Sequence, residues 1–344
     1  MKTKGYLFPL GSILILLALG LGSYLLSHSG ARRSGPPIKV RFADAVYLPS
    51  APLYIALEKG YFTQEGLEVS YSPFGLGKET LREVVTGKAD FGTATDMPIA
   101  IEVLKGAKIC VIATLSSTPE LTGIVARKDQ GISSVNDLQG KKIGVSYGTN
   151  AEFILDSFLL FNRVPRKDVH TVDVSPKGMA DAFRQGEIQA AVTWESVLSN
   201  LGAQLGENGV VFYGDEQNIY KQTWNIAATQ EFAHSNPETV TRVLRALLKA
   251  DVFIEENPKE ARLIITRYAG VKEGAFEAFW KSYRPNISLS PLLVENLESQ
   301  TRWLMKNKRT ERKDMPNYLD YLYFEGLESV RPEAVTIVHP KASR

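Results

Sequence analysis

Cysteine is nearly missing from this chain: there is one, Cys110, in 344 residues. A single thiol excludes an intramolecular disulfide framework, and without a CxxC pair there is no sulfur-based metal site. Cys110 sits in the apolar run Lys108-Ile109-Cys110-Val111-Ile112-Ala113, where a small core residue of a buried strand belongs. An excess of one charge is also lacking. Forty basic residues stand against thirty-eight acidic ones, so no basic face for nucleic acid is built. The cationic run at residues 306–313 reads as the solvated end of a helix. Histidine is scarce: His28, His170, His234 and His339 are all there are, and none falls where a cleft is expected, which leaves no usual general base. Neither HExxH nor GxSxG occurs. Gly75-Leu76-Gly77-Lys78-Glu79-Thr80 has the outline of a phosphate loop, but Ser72 stands where its first glycine belongs and Glu79 replaces the needed Ser or Thr. No catalytic residue, metal or cofactor is therefore expected.

What is present is an ordinary globular composition, 44% hydrophobic and 23% charged, long enough for about two domains. Lys2 and Lys4 precede an apolar run over residues 6–26, the form of a secretory signal. Ser27-His28-Ser29 offers small residues at the positions a signal peptidase reads, so cleavage after Ser29 is one reading. An uncleaved membrane anchor through residues 6–26 is the other, because the run is long enough to span a bilayer. Arg32 and Arg33 would then lie on the outer side, against the positive-inside tendency. Both readings place the rest of the chain outside the cytoplasm, in the periplasm or an equivalent space.

After the linker Ser34-Gly35-Pro36-Pro37, strand-like and helix-like segments alternate with turn residues at their junctions. Strands are expected at residues 38–43, 67–71, 90–94 and 108–115, with helices at 51–59, 78–86 and 97–104 between them. A second cycle places strands at 121–127, 141–146, 169–174, 188–193 and 210–213, and helices at 150–161, 176–185 and 194–201. This β-α order is that of parallel sheets with helices on both faces. A further strand at 223–229 is followed by helices only, at 236–256, 258–268, 273–283 and 292–306, as if the chain returned to cover the first unit.

Several of these segments carry a family resemblance. They are Pro52-Leu53-Tyr54-Ile55-Ala56 with Glu58-Lys59-Gly60-Tyr61-Phe62, Glu65-Gly66-Leu67-Glu68-Val69, and Gly87-Lys88-Ala89-Asp90-Phe91-Gly92. Asp137-Leu138-Gln139-Gly140-Lys141-Lys142-Ile143-Gly144-Val145 with Gly148-Thr149, Ala190-Ala191-Val192-Thr193-Trp194-Glu195, and Asn236-Pro237-Glu238 continue it. The chain resembles periplasmic substrate-binding proteins of the nitrate/sulfonate/taurine type, a group that includes thiamine-precursor binders. The resemblance implies an α/β, two-lobed periplasmic-binding-protein fold (type II) with a ligand cleft between the lobes. It implies lobe 1 from residues 37–127 with 225–344, lobe 2 from 128–224, and crossovers at 121–128 and 222–229, after a leader of residues 1–36. It further implies a monomeric carrier that hands a small molecule to an ABC permease and its ATPase. A pyrimidine-precursor synthase and menaquinone-pathway enzymes share the fold and form the rival class; a membrane-tethered sensor is a third.

In open α/β sheets ligands bind beyond the carboxyl ends of strands, where helix N-termini also point. Applied here, that rule selects Asp44 and Tyr47 after the first strand, Thr95 and Asp96 after the third, and Ser117 and Thr118 after the fourth. In the second lobe it selects Gly148, Thr149 and Asn150, then Trp194 and Glu195. Thr149 and Glu152 also fit a capping box, and Asp96 an N-cap. Three carboxylates near one site, Asp44, Asp96 and Glu195, favour a ligand with a cationic or hydrogen-bond-donating part over a bare inorganic anion. The expected ligand is a small nitrogen- or sulfur-containing organic molecule, sulfonate/taurine-like or pyrimidine-like.

Overall fold

Two five-stranded sheets organise the chain. The computed structural model describes residues 35–118, 122–195, 197–213, 220–271, 276, 280, 283 and 286–340. The apolar leader at residues 6–26, the cleavage point at Ser29 and most of the helix expected at 273–283 lie outside these. Ile38–Arg344 forms one unit, separate from Met1–Pro37.

The first half builds β1 (Ile38–Ala45), α1 (Ala51–Glu58), α2 (Tyr61–Gln64), β2 (Leu67–Phe74), α3 (Gly77–Val85), β3 (Phe91–Thr95), α4 (Asp96–Leu104) and β4 (Ile109–Thr118). The middle builds β5 (Thr122–Arg127), β6 (Lys142–Val145), α5 (Asn150–Phe161), β7 (His170–Asp173), α6 (Met179–Arg184), β8 (Ala190–Trp194), α7 (Val197–Leu205) and β9 (Gly209–Tyr213). The chain then returns through β10 (Gln222–Thr229) into α8 (Gln230–Ser235), α9 (Pro237–Glu256), α10 (Pro258–Ala269), α11 (Pro291–Lys306) and α12 (Phe324–Glu328).

Strand order is β2-β1-β3-β10-β4 in one sheet and β7-β6-β8-β5-β9 in the other. The expectation of wholly parallel sheets is corrected at one strand in each. β10 runs antiparallel to β3 and β4, and β5 antiparallel to β8 and β9. These are the strands by which the chain enters the second sheet and comes back to the first. Accordingly residues 122–127 pair within the second sheet, and Gln222–Thr229 lies wholly in the first.

Burial on both faces explains the continuous apolar runs of the inner strands. On β5, Ile124 and Ala126 join one cluster with Ile143, Val145 and Phe158, while Val125 joins the opposite one with Met179, Phe183 and Leu198. Successive side chains point to opposite faces, so a run apolar at every position feeds two cores. The returning helices cover the first sheet: α9 and α10 pack on α1, and α11 on α4. The edge strand β4 is blunted by bridges from Thr114 to Ser288 and from Val111 to Leu322, which occupy a free edge that would otherwise template pairing.

One buried carboxyl of this helical cover is titratable near neutrality. Asp251 on α9 is 4% exposed, and burial raises it to about 7, with the Ile287 N–H at 3.1 Å pulling the other way. Its Oδ1 has no hydrogen-bond donor among the described residues. The folded pKa lies above the unfolded one, so the stabilisation is complete at low pH and is lost as pH rises through about 7. Urea unfolding should show stability falling between pH 4 and 7 with a slope approaching roughly 1.4 kcal/mol per pH unit from this group. Asp251→Asn should flatten that slope; an unchanged pH profile would show that Asp251 is not its source.

Candidate functional site

A cleft of about 140 Å³ lies where the strand ends of both sheets converge. From the first sheet come Ala45, Val46 and Tyr47 at the end of β1, Gly75 to Gly77 after β2, Thr95 and Pro98 at the β3–α4 junction, and Trp224 on β10. From the second come Thr149 and Asn150 at the start of α5, Pro176 after β7, and Trp194, which ends β8, with Glu195 and Val197 after it. Six of the expected residues therefore meet in one place: Tyr47, Thr95, Thr149, Asn150, Trp194 and Glu195.

Aromatic rings make the walls, and polar atoms behind them fix the rings. Tyr47 and Trp224 pack at 5.3 Å between centroids. The Trp224 indole donates to Ser50 Oγ at 2.8 Å, and Ser50 donates onward to Asp44 Oδ1 at 2.6 Å. Opposite, the Trp194 indole donates to Asn150 Oδ1 at 3.0 Å. Gly77 sits so close to β3 that a Cβ there would fall 3.0 Å from Ala94 Cα, which accounts for a glycine in the sequence that mimics a phosphate loop. Glu79 Oε2 accepts from the N–H groups of Gly75 and Leu76, each at 3.1 Å, so these donors are already used.

Asp44 does not face the cleft. It is fully buried beneath it and accepts from Ser50, from Thr93 at 2.7 Å and from Tyr71 at 2.9 Å. Burial raises its pKa, and these hydroxyls oppose the rise. Asp96 is also sealed in. Thr95, not Asp96, occupies the N-cap of α4. The Asp96 carboxyl accepts from Tyr220, from Asn296 at 2.7 Å, from Gln300 at 2.9 Å and from Thr223 at 3.2 Å, and burial raises its pKa. Ser117 stands opposite Thr223 in the β4–β10 ladder, outside the lining. Thr118 ends that strand, and its side chain lies outside the described residues.

Gly148 also lies behind the lining, at φ +73°, where its N–H donates to Glu152 Oε2 at 2.9 Å. The expected capping box is thus shifted by one residue: Thr149 Oγ1 accepts from Ala151 N at 3.3 Å, but Glu152 reaches Gly148 rather than Thr149. Of the three acidic residues, only Glu195 lines the cleft. It accepts from Tyr213 at 3.1 Å and from Ser199, and burial raises its pKa. The electrostatic case for a cationic ligand loses two of its three carboxylates. No cysteine, histidine, lysine or arginine is among the lining residues.

Outside the lining, segments carried by the two sheets also touch each other. Lys78 Nζ on α3 donates to the Tyr147 carbonyl at 3.1 Å. Beyond it, Trp303 on α11 donates to Asp156 at 2.8 Å, and Arg309 pairs with Glu152 at 2.6 Å.

Trp224, Gly75 to Gly77 and Pro176 were missed by the strand-end rule for separable reasons. The rule assumes that a strand runs toward the site. β10 is antiparallel to its neighbours, so its amino end, Gln222 to Trp224, lies at the ligand edge. Gly75 to Gly77 and Pro176 follow β2 and β7 and obey the rule, which holds for these outer strands as for the inner ones.

A family model described as NMT1/THI5 like matches residues 49–261. The chain belongs to the NMT1/THI5-like family. It is 25% identical over 94% of its length, and 96% of the relative's, to a Bacillus subtilis (strain 168) protein named as an aliphatic sulfonates-binding protein. The fold is that of periplasmic binding proteins. The alkanesulfonate-binding protein SsuA from Xanthomonas axonopodis pv. citri, solved with MOPS, superposes with a TM-score of 0.72 at 17% identity, covering 84% of this chain and 99% of that one. The desulfurization enzyme DSZB also shares the fold, with a TM-score of 0.62 at 16% identity over 85% of this chain and 98% of that one.

Asp96 is expected to act as a structural fastener rather than a ligand contact. Asp96→Ala strands several buried donors at about 1–3 kcal/mol each before relaxation. Denaturant unfolding should therefore show a loss of roughly 3 kcal/mol. A loss below about 0.5 kcal/mol would mean that the network is not load-sharing.

Proposed function

We propose that this chain is the extracytoplasmic solute-binding component of an ABC importer, that its ligand is a small organosulfonate, and that it performs no chemistry on it. The observation that carries this is the cleft: aromatic walls from both sheets, hydrogen-bonding groups at helix starts, and no thiol, imidazole or amine among the lining residues. The relatives named for sulfonate binding support the ligand class.

A sulfonate needs donors rather than a specific cation. The N-terminal turn of α5 supplies backbone N–H groups and the positive end of a twelve-residue helix, worth about 0.3–2 kcal/mol for an anion. The organic part of the ligand packs between Tyr47 and Trp224 on one side and Trp194 on the other. Both sheets contribute walls, so binding draws them together in a hinge motion about the crossover strands β5 and β10. The moving halves are those carrying the two sheets. The N-terminal segment exports the chain, by cleavage or as a tether, and the closed form docks as a monomer on a permease with its ATPase.

The enzymatic alternative rests on the shared fold of DSZB. A thiol mechanism is not open to it at the cleft, because the sole thiol, Cys110, is buried in β4 and raised to about 12 by that burial.

A thermal-shift panel of short alkanesulfonates, taurine and an aminopyrimidine distinguishes the ligand classes. At about 100-fold over Kd a true ligand adds about 2.7 kcal/mol, a rise of several degrees in Tm. Alkanesulfonates should produce it, and Trp194→Ala should weaken binding at least about tenfold by removing one wall. A response to the aminopyrimidine alone would replace the sulfonate, and mass-spectrometric detection of a converted ligand would overturn the carrier.

A further inference from the structure

The Trp194 ring is held by a hydrogen-bond relay that begins on the other sheet. Its indole N–H can only donate, so Asn150 must present Oδ1 to it, at 3.0 Å. That choice turns Asn150 Nδ2 the other way, and it donates to Gln222 Oε1 at 2.6 Å. The orientation of both amides is thus dictated from one end. Asn150 is 1% exposed and Gln222 2%, so water does not compete for these bonds.

Gln222 is the first residue of β10, and Thr122, the first residue of β5, donates to the same Oε1 at 3.4 Å. The two strands that carry the chain between sheets therefore meet at this one oxygen. Gln222 does not line the cleft, and its Nε2 has no partner among the described residues. A buried donor is costly to leave unpaired. A glutamine is kept here, then, for its acceptor oxygen rather than for its amino group.

We propose that Gln222 is a positioning residue, which sets the plane of the Trp194 ring through Asn150 and makes that plane depend on the geometry of the two crossover strands. Movement of β10 against the second sheet stretches the Asn150–Gln222 bond and frees the ring to turn, so the wall is rigid only when the halves are correctly placed. Only the consequence for binding rests on the cleft being a solute site; the relay itself is tested without any ligand.

The test is the indole N–H signal of Trp194 in a 15N–1H spectrum of the ligand-free protein, assigned with Trp194→Phe. In Gln222→Leu this signal should move and its exchange with solvent should quicken about tenfold. The Trp224 indole, bonded to Ser50, should stay in place as the internal control. Gln222→Glu keeps an acceptor facing Asn150 and should preserve the parent signal; if the leucine variant does not fold, Gln222→Ala, which also removes the acceptor, takes its place beside it. The proposal is overturned if Gln222→Leu leaves the Trp194 signal and its exchange unchanged, or shifts both indoles alike, or if Gln222→Glu disturbs the signal as the leucine does.

Discussion

Strand β10 holds the molecule together, because each of four consecutive buried residues on it is fastened to a different element. Gln222 accepts from Asn150 on α5, and Thr223 donates to Asp96 on α4. Trp224 donates to Ser50 at the head of α1, and Asn225 Oδ1 accepts from Thr114 on β4 at 2.6 Å. The strand also supplies the backbone pairing between β3 and β4, without which β4 would have no neighbour in its sheet. A strand running the other way would present its far end to the cleft and lose all four attachments. The antiparallel direction is thus a condition for the site as well as for the sheet.

Carboxylates are used as internal scaffolding rather than as ligand contacts. Asp44 and Asp96 each gather several hydroxyl or amide donors in a space closed to water. A buried acceptor saturated in this way gives geometric precision, because each donor has one place to point. It also keeps these charges from dominating the field in the cleft, where Glu195 is the one acidic lining residue. The cleft is therefore shaped by residues it does not display.

Much of the fold was legible because local signals agreed. Gly60, Gly87 and Gly106 ended helices as left-handed residues, and the inner strands were continuous apolar runs. What could not be read was strand direction. The letters of Thr223 to Thr229 fit a strand running either way, and only pairing with β3 and β4 decides. The site was legible in the same proportion. Tyr47, Thr95, Thr149, Asn150, Trp194 and Glu195 came from the position rule alone. Asp44 and Asp96 obeyed that rule in sequence and failed it in space, since a residue at a strand end chooses between cleft and interior by which partners it finds. Ser50, Thr93 and Tyr71 come from three different segments, so their convergence on Asp44 leaves no local trace.

The lone sulfur at Cys110 carries a practical corollary. With its thiol raised to about 12, the reactive thiolate is on the order of one molecule in 100,000 at neutral pH. Maleimide reagents would pass over it while the chain is folded. A cysteine introduced at an exposed point of each half, such as Leu160 and Leu263, would then be the only handle for a dye. The wild-type background already suits distance measurement by fluorescence, without first engineering away a native label site.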